Sequence, residues 1–207
     1  MLNIAVLVSG GGTNLQALID AQKNGIIKNG RIVRVISSRE GVYALERAKQ
    51  NGIETRVVAR KNYKNSDEFD RALLAELKAA NTDLVVLAGF LSILGDAVLN
   101  EYENRIINVH PSLIPSFCGP GFYGLRVHEE ALKYGVKVTG ATVHFVNKVV
   151  DGGAIIAQKA VEVKEGDTPE ILQRRVMEQA EWVLLPRAVA LFCEGRIKVK
   201  DGKTIIV

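Results

Sequence analysis

The side chains best suited to chemistry in this sequence sit in Ile106–Ser112, Ile-Ile-Asn-Val-His-Pro-Ser. The run reads as an apolar strand ending in two polar side chains and a proline. Strand side chains alternate between faces, so Asn108 and His110 share one face and Val109 takes the other. Pro111 has no amide proton and ends the ladder, which leaves His110 at the strand's exit. A carboxamide can hydrogen-bond a developing oxyanion and an imidazole beside it can move a proton, which together suit acyl or formyl transfer. The same two residues also fit a polar strand end capped by a histidine.

Other stretches offer partners for that pair. Val149-Val150-Asp151-Gly152-Gly153 carries a carboxylate, although Asp-Gly pairs form turns in their own right and Asp151 also reads as a turn residue. In Val136–Asn147, Thr142, His144 and Val146 share one face and Ala141, Val143 and Phe145 the other. Thr142 and His144 therefore face either a polar pocket or solvent. Near the start, the apolar run Asn3–Ser9 leads into Ser9-Gly10-Gly11-Gly12-Thr13-Asn14, and Leu15, Leu18 and Ile19 follow at helical spacing. Glycines let the backbone approach a ligand closely, and the helix behind them aims free amides at an anion. That predicts a phosphate cradle at Gly11, Gly12, Thr13 and Asn14, with the Thr13 hydroxyl and the Asn14 amide as added donors, so that Gly12→Val should chiefly weaken binding. A dinucleotide loop competes: Gly10 and Gly12 fit the first half of GxGxxG, but the third position is Leu15. The second strand, Arg31–Ser37, runs into Ser-Ser-Arg-Glu rather than a lone acid, with Arg39 leaving a 2′-phosphate open. A purely structural turn is the third reading.

These groups require a scaffold, and the chain supplies strands alternating with helices. Tyr43–Asn51 reads as a helix closed by Gly52, Glu54–Val58 as a strand, and Ser66–Ala80 as an amphipathic helix with Phe69, Leu73, Leu74 and Leu77 on one face. Asp83–Ala88 is apolar enough for a central strand, and Asp96–Tyr102 gives one more short helix. Phe90, Leu91, Ser92, Ile93 and Leu94 leave the carboxyl end of that central strand, where open parallel sheets bind ligands. They read either as an apolar wall for a flat ring or as a helix start packing on the sheet. Pro111–Gly124 holds three prolines and three glycines, too long and too broken for a simple connection, and is a candidate lid. A helix from His128 to Tyr134, a strand at Ala154–Val163 and a helix from Thr168-Pro169 to about Glu194, kinked at Pro186, come next. Gly195–Val207 reads as a hairpin around Asp201-Gly202. The pattern predicts an α/β fold with a mixed, mostly parallel sheet and helices on both faces, in one domain spanning residues 1–207.

The bulk properties narrow the function. At 207 residues with 47% apolar and 24% charged side chains, the chain can bury a large core. A net charge of +4 without a basic run or interleaved aromatics argues against nucleic-acid binding and suits an anionic small molecule. Cys118 and Cys193 form no CxxC pair, and no spacing suggests a metal site. The first residues lack a basic n-region and their apolar run is too short for a signal or a membrane span, so the expectation is a cytoplasmic protein. Oligomeric state is left open.

Taken together, Ser9–Leu15, Leu87-Ala-Gly-Phe90, Asn108-Val-His-Pro-Ser-Leu-Ile-Pro115, Gly140-Ala-Thr-Val-His144 and Asp151-Gly-Gly153 resemble, in order over essentially the whole chain, the phosphoribosylglycinamide formyltransferase family of purine synthesis. The resemblance implies a Rossmann-like formyltransferase fold and transfer of a formyl group from 10-formyltetrahydrofolate, as co-substrate, to the glycinamide amine of the ribonucleotide. It implies no metal. By the same resemblance Asn108 donates to the formyl oxygen, His110 polarises it and joins in proton transfer, and Asp151 holds the imidazole and shuttles the proton. The loop Gly11–Asn14 takes the ribonucleotide phosphate, and Glu181, which alone would read as a solvated helix charge, takes the ribose hydroxyls. The folate ring lies against Phe90–Leu94, beside Asn108, and against the Val146–Asp151 loop, with Thr142 and His144 in support.

The chain departs from the family in places. Ser92 stands where the family often has Arg, Thr142 replaces a frequent Ser, and Trp182 takes the place of a His after the glutamate. For the family's basic residue near the third helix, Lys61 and Lys64 are the neighbouring candidates. Formyltetrahydrofolate hydrolases share the Asn-His-Asp site but usually carry an N-terminal regulatory domain, and methionyl-tRNA formyltransferases add a basic C-terminal one. With its first strand at Asn3 and its end at Val207, the sequence matches neither, and the hydrolase is the principal alternative.

Overall fold

The computed structural model describes residues 1–207. Five parallel strands, β1 (Leu2–Val8), β2 (Gly30–Ser37), β3 (Glu54–Val57), β4 (Leu84–Leu87) and β5 (Ile106–His110), are joined by two antiparallel ones, β6 (Val138–Phe145) and β7 (Ile155–Glu162). Their spatial order is β3-β2-β1-β4-β5-β6-β7. β1 is central, with Ile4 to Val8 wholly buried, which explains its unbroken apolar run.

Alternation along the strands divides the core into two layers. Ile4, Val6 and Val8 point to one side, under α1 (Thr13–Lys23), α2 (Tyr43–Gln50), α6 (Pro169–Val176) and α7 (Trp182–Cys193). Ala5 and Leu7 point to the other, where Phe69, Leu73 and Leu77 of α3 (Ser66–Ala79) and Val98 of α4 (Asp96–Glu101) cover the sheet. The chain winds from β1 out to β3, then returns past β1 to β4. The loops after β1 and β4 consequently part at the carboxyl ends of adjacent strands, the switch point at which open α/β sheets form ligand crevices.

Two helical expectations need correction. The helix after the long loop, α5, spans Leu125–Tyr134 rather than starting at His128, because Gly124 (φ 58°) makes the break and Val127 already packs in the interior. The last helix departs from regular geometry before Pro186: a wide π turn at Met177–Glu181 separates α6 from α7, and Pro186 lies inside α7. Proline has no N–H for the carbonyl one turn back, and the wide turn lies directly N-terminal of that gap. The end of the chain forms the expected hairpin, β8 (Ile197–Lys200) and β9 (Lys203–Ile206). No helix is long and apolar enough to cross a membrane.

Candidate active site

β5 and β6 run antiparallel with Asn108 opposite His144 and His110 opposite Thr142, so four polar side chains share one face of a two-strand ladder. The solvent-face alternative fails: Thr142 is fully buried, and His144 and His110 are 1% and 4% exposed. Buried polar groups require partners. The Thr142 hydroxyl donates to the Ser112 carbonyl (2.7 Å) and accepts from the Ile114 amide (3.1 Å) and the Gln158 amide (2.9 Å). It thereby anchors the chain as it leaves His110.

The protons on the two imidazoles follow from their neighbours, since a carbonyl can only accept. His144 Nδ1 lies 2.7 Å from the Phe145 carbonyl and must carry the proton, so the neutral ring leaves Nε2 bare. Asn108 Nδ2 donates to that nitrogen at 3.1 Å, which turns its amino end into the site with a second N–H to spare. His110 Nε2 likewise donates to the Phe117 carbonyl at 2.8 Å.

Asp151 sits between the two rings. Its Oδ2 is 3.6 Å from His110 Nδ1 and its Oδ1 is 3.6 Å from His144 Nε2, too long for hydrogen bonds, and either contact becomes an ion pair only when the ring gains a second proton. The Gly119 N–H donates to Oδ2 at 2.8 Å. Asp151 thus holds the turn while its carboxylate lies between the two rings: its backbone is left-handed (φ 55°), a conformation Asp tolerates. The following Gly153 is pressed against the end of β6, where a Cβ would meet the Phe145 carbonyl oxygen at 1.8 Å.

Burial pushes the His110 imidazole below its ordinary range, and the Asp151 charge only partly opposes this. For Asp151, burial pulls upward, but His144, His110 and the Gly119 N–H together hold the carboxyl low. The resting pair is a carboxylate beside a neutral imidazole whose Nε2–H is engaged by the Phe117 carbonyl. Behind it, His128 of α5 is fully buried with no partner on either ring nitrogen, and burial and the neighbouring His110 hold it down at about 4.

At the other strand end, the Gly10, Gly11 and Gly12 amides have no acceptor within the protein, which suits an anion. A Cβ at Gly10 or Gly11 would meet open space. Gly12 differs. It is left-handed (φ 75°) and caps α1, and a Cβ there would meet Ala44 Cβ at 2.7 Å, so the fold itself demands this glycine. Thr13 remains half-exposed beside the loop. Asn14 corrects the sequence reading, because its amide turns inward and donates to Glu181 Oε2 (2.7 Å) instead of facing the anion. Glu181 is no solvated helix charge either: at 6% exposure, burial raises its carboxyl to about 7 despite the Asn14 bond.

The Phe90–Leu94 strip is not a helix start; α4 begins only at Asp96. Leu91 and Ile93 expose their side chains, Ser92 and Phe90 are half-buried, and Leu94 is withdrawn into the core and offers no ligand surface. Several residues that hold this region went unnoticed in the sequence. The Ser9 hydroxyl accepts from the Leu91 amide (2.9 Å) and pairs with the Ser38 hydroxyl (2.6 Å), tying the ends of β1, β2 and β4 together. Buried Asp70 accepts from the Gly95 (2.7 Å) and Val98 (3.1 Å) amides and fixes the start of α4. A serine closing an apolar run was a readable signal; the Phe117 carbonyl and Gly119 amide had none, being backbone groups.

Known proteins resemble this chain over most of its length. Residues 2–189 match the family model described as formyl transferase. The chain is 40% identical to the phosphoribosylglycinamide formyltransferase of Escherichia coli over 97% of its own length and 92% of that protein. It is 44% identical to the trifunctional purine biosynthetic protein adenosine-3 of Gallus gallus, of which it spans only 20%. Among solved structures, glycinamide ribonucleotide transformylase 1 of Symbiobacterium toebii superposes with a TM-score of 0.94 at 44% identity, covering 100% of this chain and 94% of that one. A formyltetrahydrofolate deformylase of Pseudomonas syringae pv. tomato superposes at 0.88 with 27% identity, covering 99% of this chain and 65% of that one. With a family model matched over most of its length and a 40% identical relative covered almost end to end, this chain belongs to the formyl transferase family.

Proposed function

We infer that the protein transfers the formyl group of 10-formyltetrahydrofolate to the glycinamide amine of phosphoribosylglycinamide, in the cytoplasm, without a metal. The observation that carries this is the grouping of Asn108, His110 and Asp151 at the end of β5: the first two share one strand face, and the carboxylate lies 3.6 Å from the His110 ring. Attack by the amine on the formyl carbon puts negative charge on the formyl oxygen, and cleavage of the carbon–nitrogen bond to the folate completes transfer. The spare Asn108 N–H and the His110 Nε2–H suit that oxygen, the latter once it leaves the Phe117 carbonyl. The amine must lose a proton and the folate nitrogen must gain one; ionised Asp151 is the acceptor, directly or through water, and His110 joins the transfer. The unbonded amides of Gly11 and Gly12, with Thr13, suit the phosphate, Glu181 the ribose hydroxyls, and exposed Leu91 and Ile93 the folate ring.

The likeness to a deformylase supports a second reading, hydrolysis of the same folate by water. Incubation with 10-formyltetrahydrofolate, first alone and then with phosphoribosylglycinamide, separates the two. Turnover that depends on the amine is expected. Equal formate release in both incubations would establish the hydrolase.

A further inference from the structure

The glycine loop after β1 has no side chains of its own between Ser9 and Thr13, and a Cβ at Gly10 or Gly11 would meet open space. Packing therefore does little to fix this backbone, and glycine adds freedom. The hold comes from α2. The Ala44 amide donates to the Gly10 carbonyl (3.2 Å), and Arg47 Nε donates to the Gly11 carbonyl (2.9 Å). The Gly12 carbonyl accepts from the Gln16 amide (2.9 Å) as α1 begins. In a planar trans peptide the C=O and the following N–H point in opposite directions. Drawing the Gly10 and Gly11 carbonyls onto α2 therefore turns the Gly11 and Gly12 N–H groups away from it. These are among the amides that find no acceptor in the protein. Arg47 is itself held in place. Its Nη1 donates to Gln16 Oε1 (3.2 Å), and its guanidinium lies 4.8 Å from the centre of the Tyr43 ring. Its stem runs past Gly12, where a Cβ would stand 3.5 Å from Arg47 Cδ.

We propose that Arg47 is a positioning residue for the anion cradle: by fixing the Gly11 carbonyl it presets the Gly12 N–H for the ribonucleotide phosphate. The inference rests on the assignment of the phosphate to this loop. A guanidinium-to-carbonyl bond is charge-assisted and stronger than the neutral bond from Ala44. Without it the Gly11–Gly12 peptide is free to rotate, and the ligand must order it on binding. That cost falls on ribonucleotide affinity, because the reacting groups sit at the end of β5 and are untouched. Of the two clamps from α2, only Arg47 acts through its side chain, so substitution can remove it.

Arg47→Met keeps an unbranched stem beside Gly12 and a helix propensity close to that of arginine, so the fold should hold. Its ribonucleotide KM should rise by about 10-fold, with kcat and the folate KM near wild type. Arg47→Lys keeps the charge but not the Nε donor, and should recover only a small part of the loss. The ratio of variant to wild-type KM should persist at high salt, since lost geometry is not screened. Full recovery in Arg47→Lys, or a defect that vanishes at high salt, would make Arg47 a charge alone and overturn the proposal. Titration with ribose 5-phosphate, followed by NMR at the Gly11 and Gly12 amides, needs no formyl transfer. Both amides should shift in wild type, and Arg47→Met should bind about 10-fold more weakly. Equal affinities would overturn the positioning role alone. Unshifted amides in wild type would remove the phosphate from the loop and the proposal with it.

Discussion

Asn108 and His144 face each other across the β5–β6 pair, the carboxamide nitrogen 3.1 Å from an imidazole nitrogen that carries no proton. The Phe145 carbonyl dictates this by holding the proton on the far side of the ring. On the formyl-transfer mechanism proposed above, His144 is a positioning residue: by accepting from the Asn108 amino end it leaves that group's second N–H for the formyl oxygen.

His144→Phe should leave Asn108 free to turn over and lower kcat by about 10- to 100-fold, short of the 10²–10³-fold typical for outright loss of an oxyanion donor. Both KM values should stay near wild type. The Asn108→Ala/His144→Phe double variant should be no slower than Asn108→Ala alone, because the two act as one unit. Additive losses in steady-state kinetics would show that His144 acts elsewhere.

Asp151→Asn retains a side chain that tolerates the left-handed turn and can accept from the Gly119 amide, so the fold should survive. The proton acceptor is removed, and kcat should fall roughly 10²-fold or more. A variant with normal stability and near-normal kcat would return Asp151 to the role of a turn residue.

Glu181 links binding to stability. Its carboxyl is raised from 4.5 to about 7 in the folded protein, chiefly by burial, so between those values the native state holds a proton that the unfolded chain has released. Stability is fully present below the unfolded pKa and is lost as pH rises through 7, by about 3 kcal/mol in all. Glu181→Gln keeps an acceptor for Asn14 without the charge, so its denaturation midpoint should exceed that of wild type at pH 8 and converge with it near pH 4. Its affinity for the ribonucleotide should no longer strengthen as pH rises through 7. Parallel stability curves would show that the carboxyl is already ionised in the fold at low pH.

Gly11 and Gly12 should separate function from folding. Gly11→Ala adds a methyl in open space, so thermal stability should hold while ribonucleotide KM rises by about 10-fold, on the scale of one lost close anion contact. Gly12→Ala meets Ala44 and forces a left-handed alanine, costing about 1–3 kcal/mol, so it should appear first as a lowered melting temperature. The larger Gly12→Val would be worse, and is unsuitable as the binding test that the sequence alone suggested. An unchanged ribonucleotide KM in Gly11→Ala would remove the phosphate from this loop.

Much of the scaffold was legible because its signals are local. Period-two and period-3.6 patterning marked the strands and helices within a few residues, and the change to antiparallel strands after Pro111 was visible in the alternation at Val136–Asn147. Boundaries failed where a neighbouring backbone decided them: Gly124 starts α5 early, and a widened turn ahead of Pro186 breaks the last helix.

By itself the sequence determined the chemistry available: an amide and an imidazole on one strand face, a carboxylate on a tight turn, and a glycine loop between strand and helix. Residue type, strand alternation and backbone conformational freedom are encoded over a few positions. Only the tertiary structure decided how those groups are used. Asn14 and Glu181 are 167 positions apart, and their pairing both removes the amide from the anion site and buries the acid. The Phe117 carbonyl and the Gly119 amide, which engage His110 and Asp151, carry no side-chain signature at all. Protonation states and donor directions depend on such long-range contacts and on burial, which no local stretch of sequence encodes.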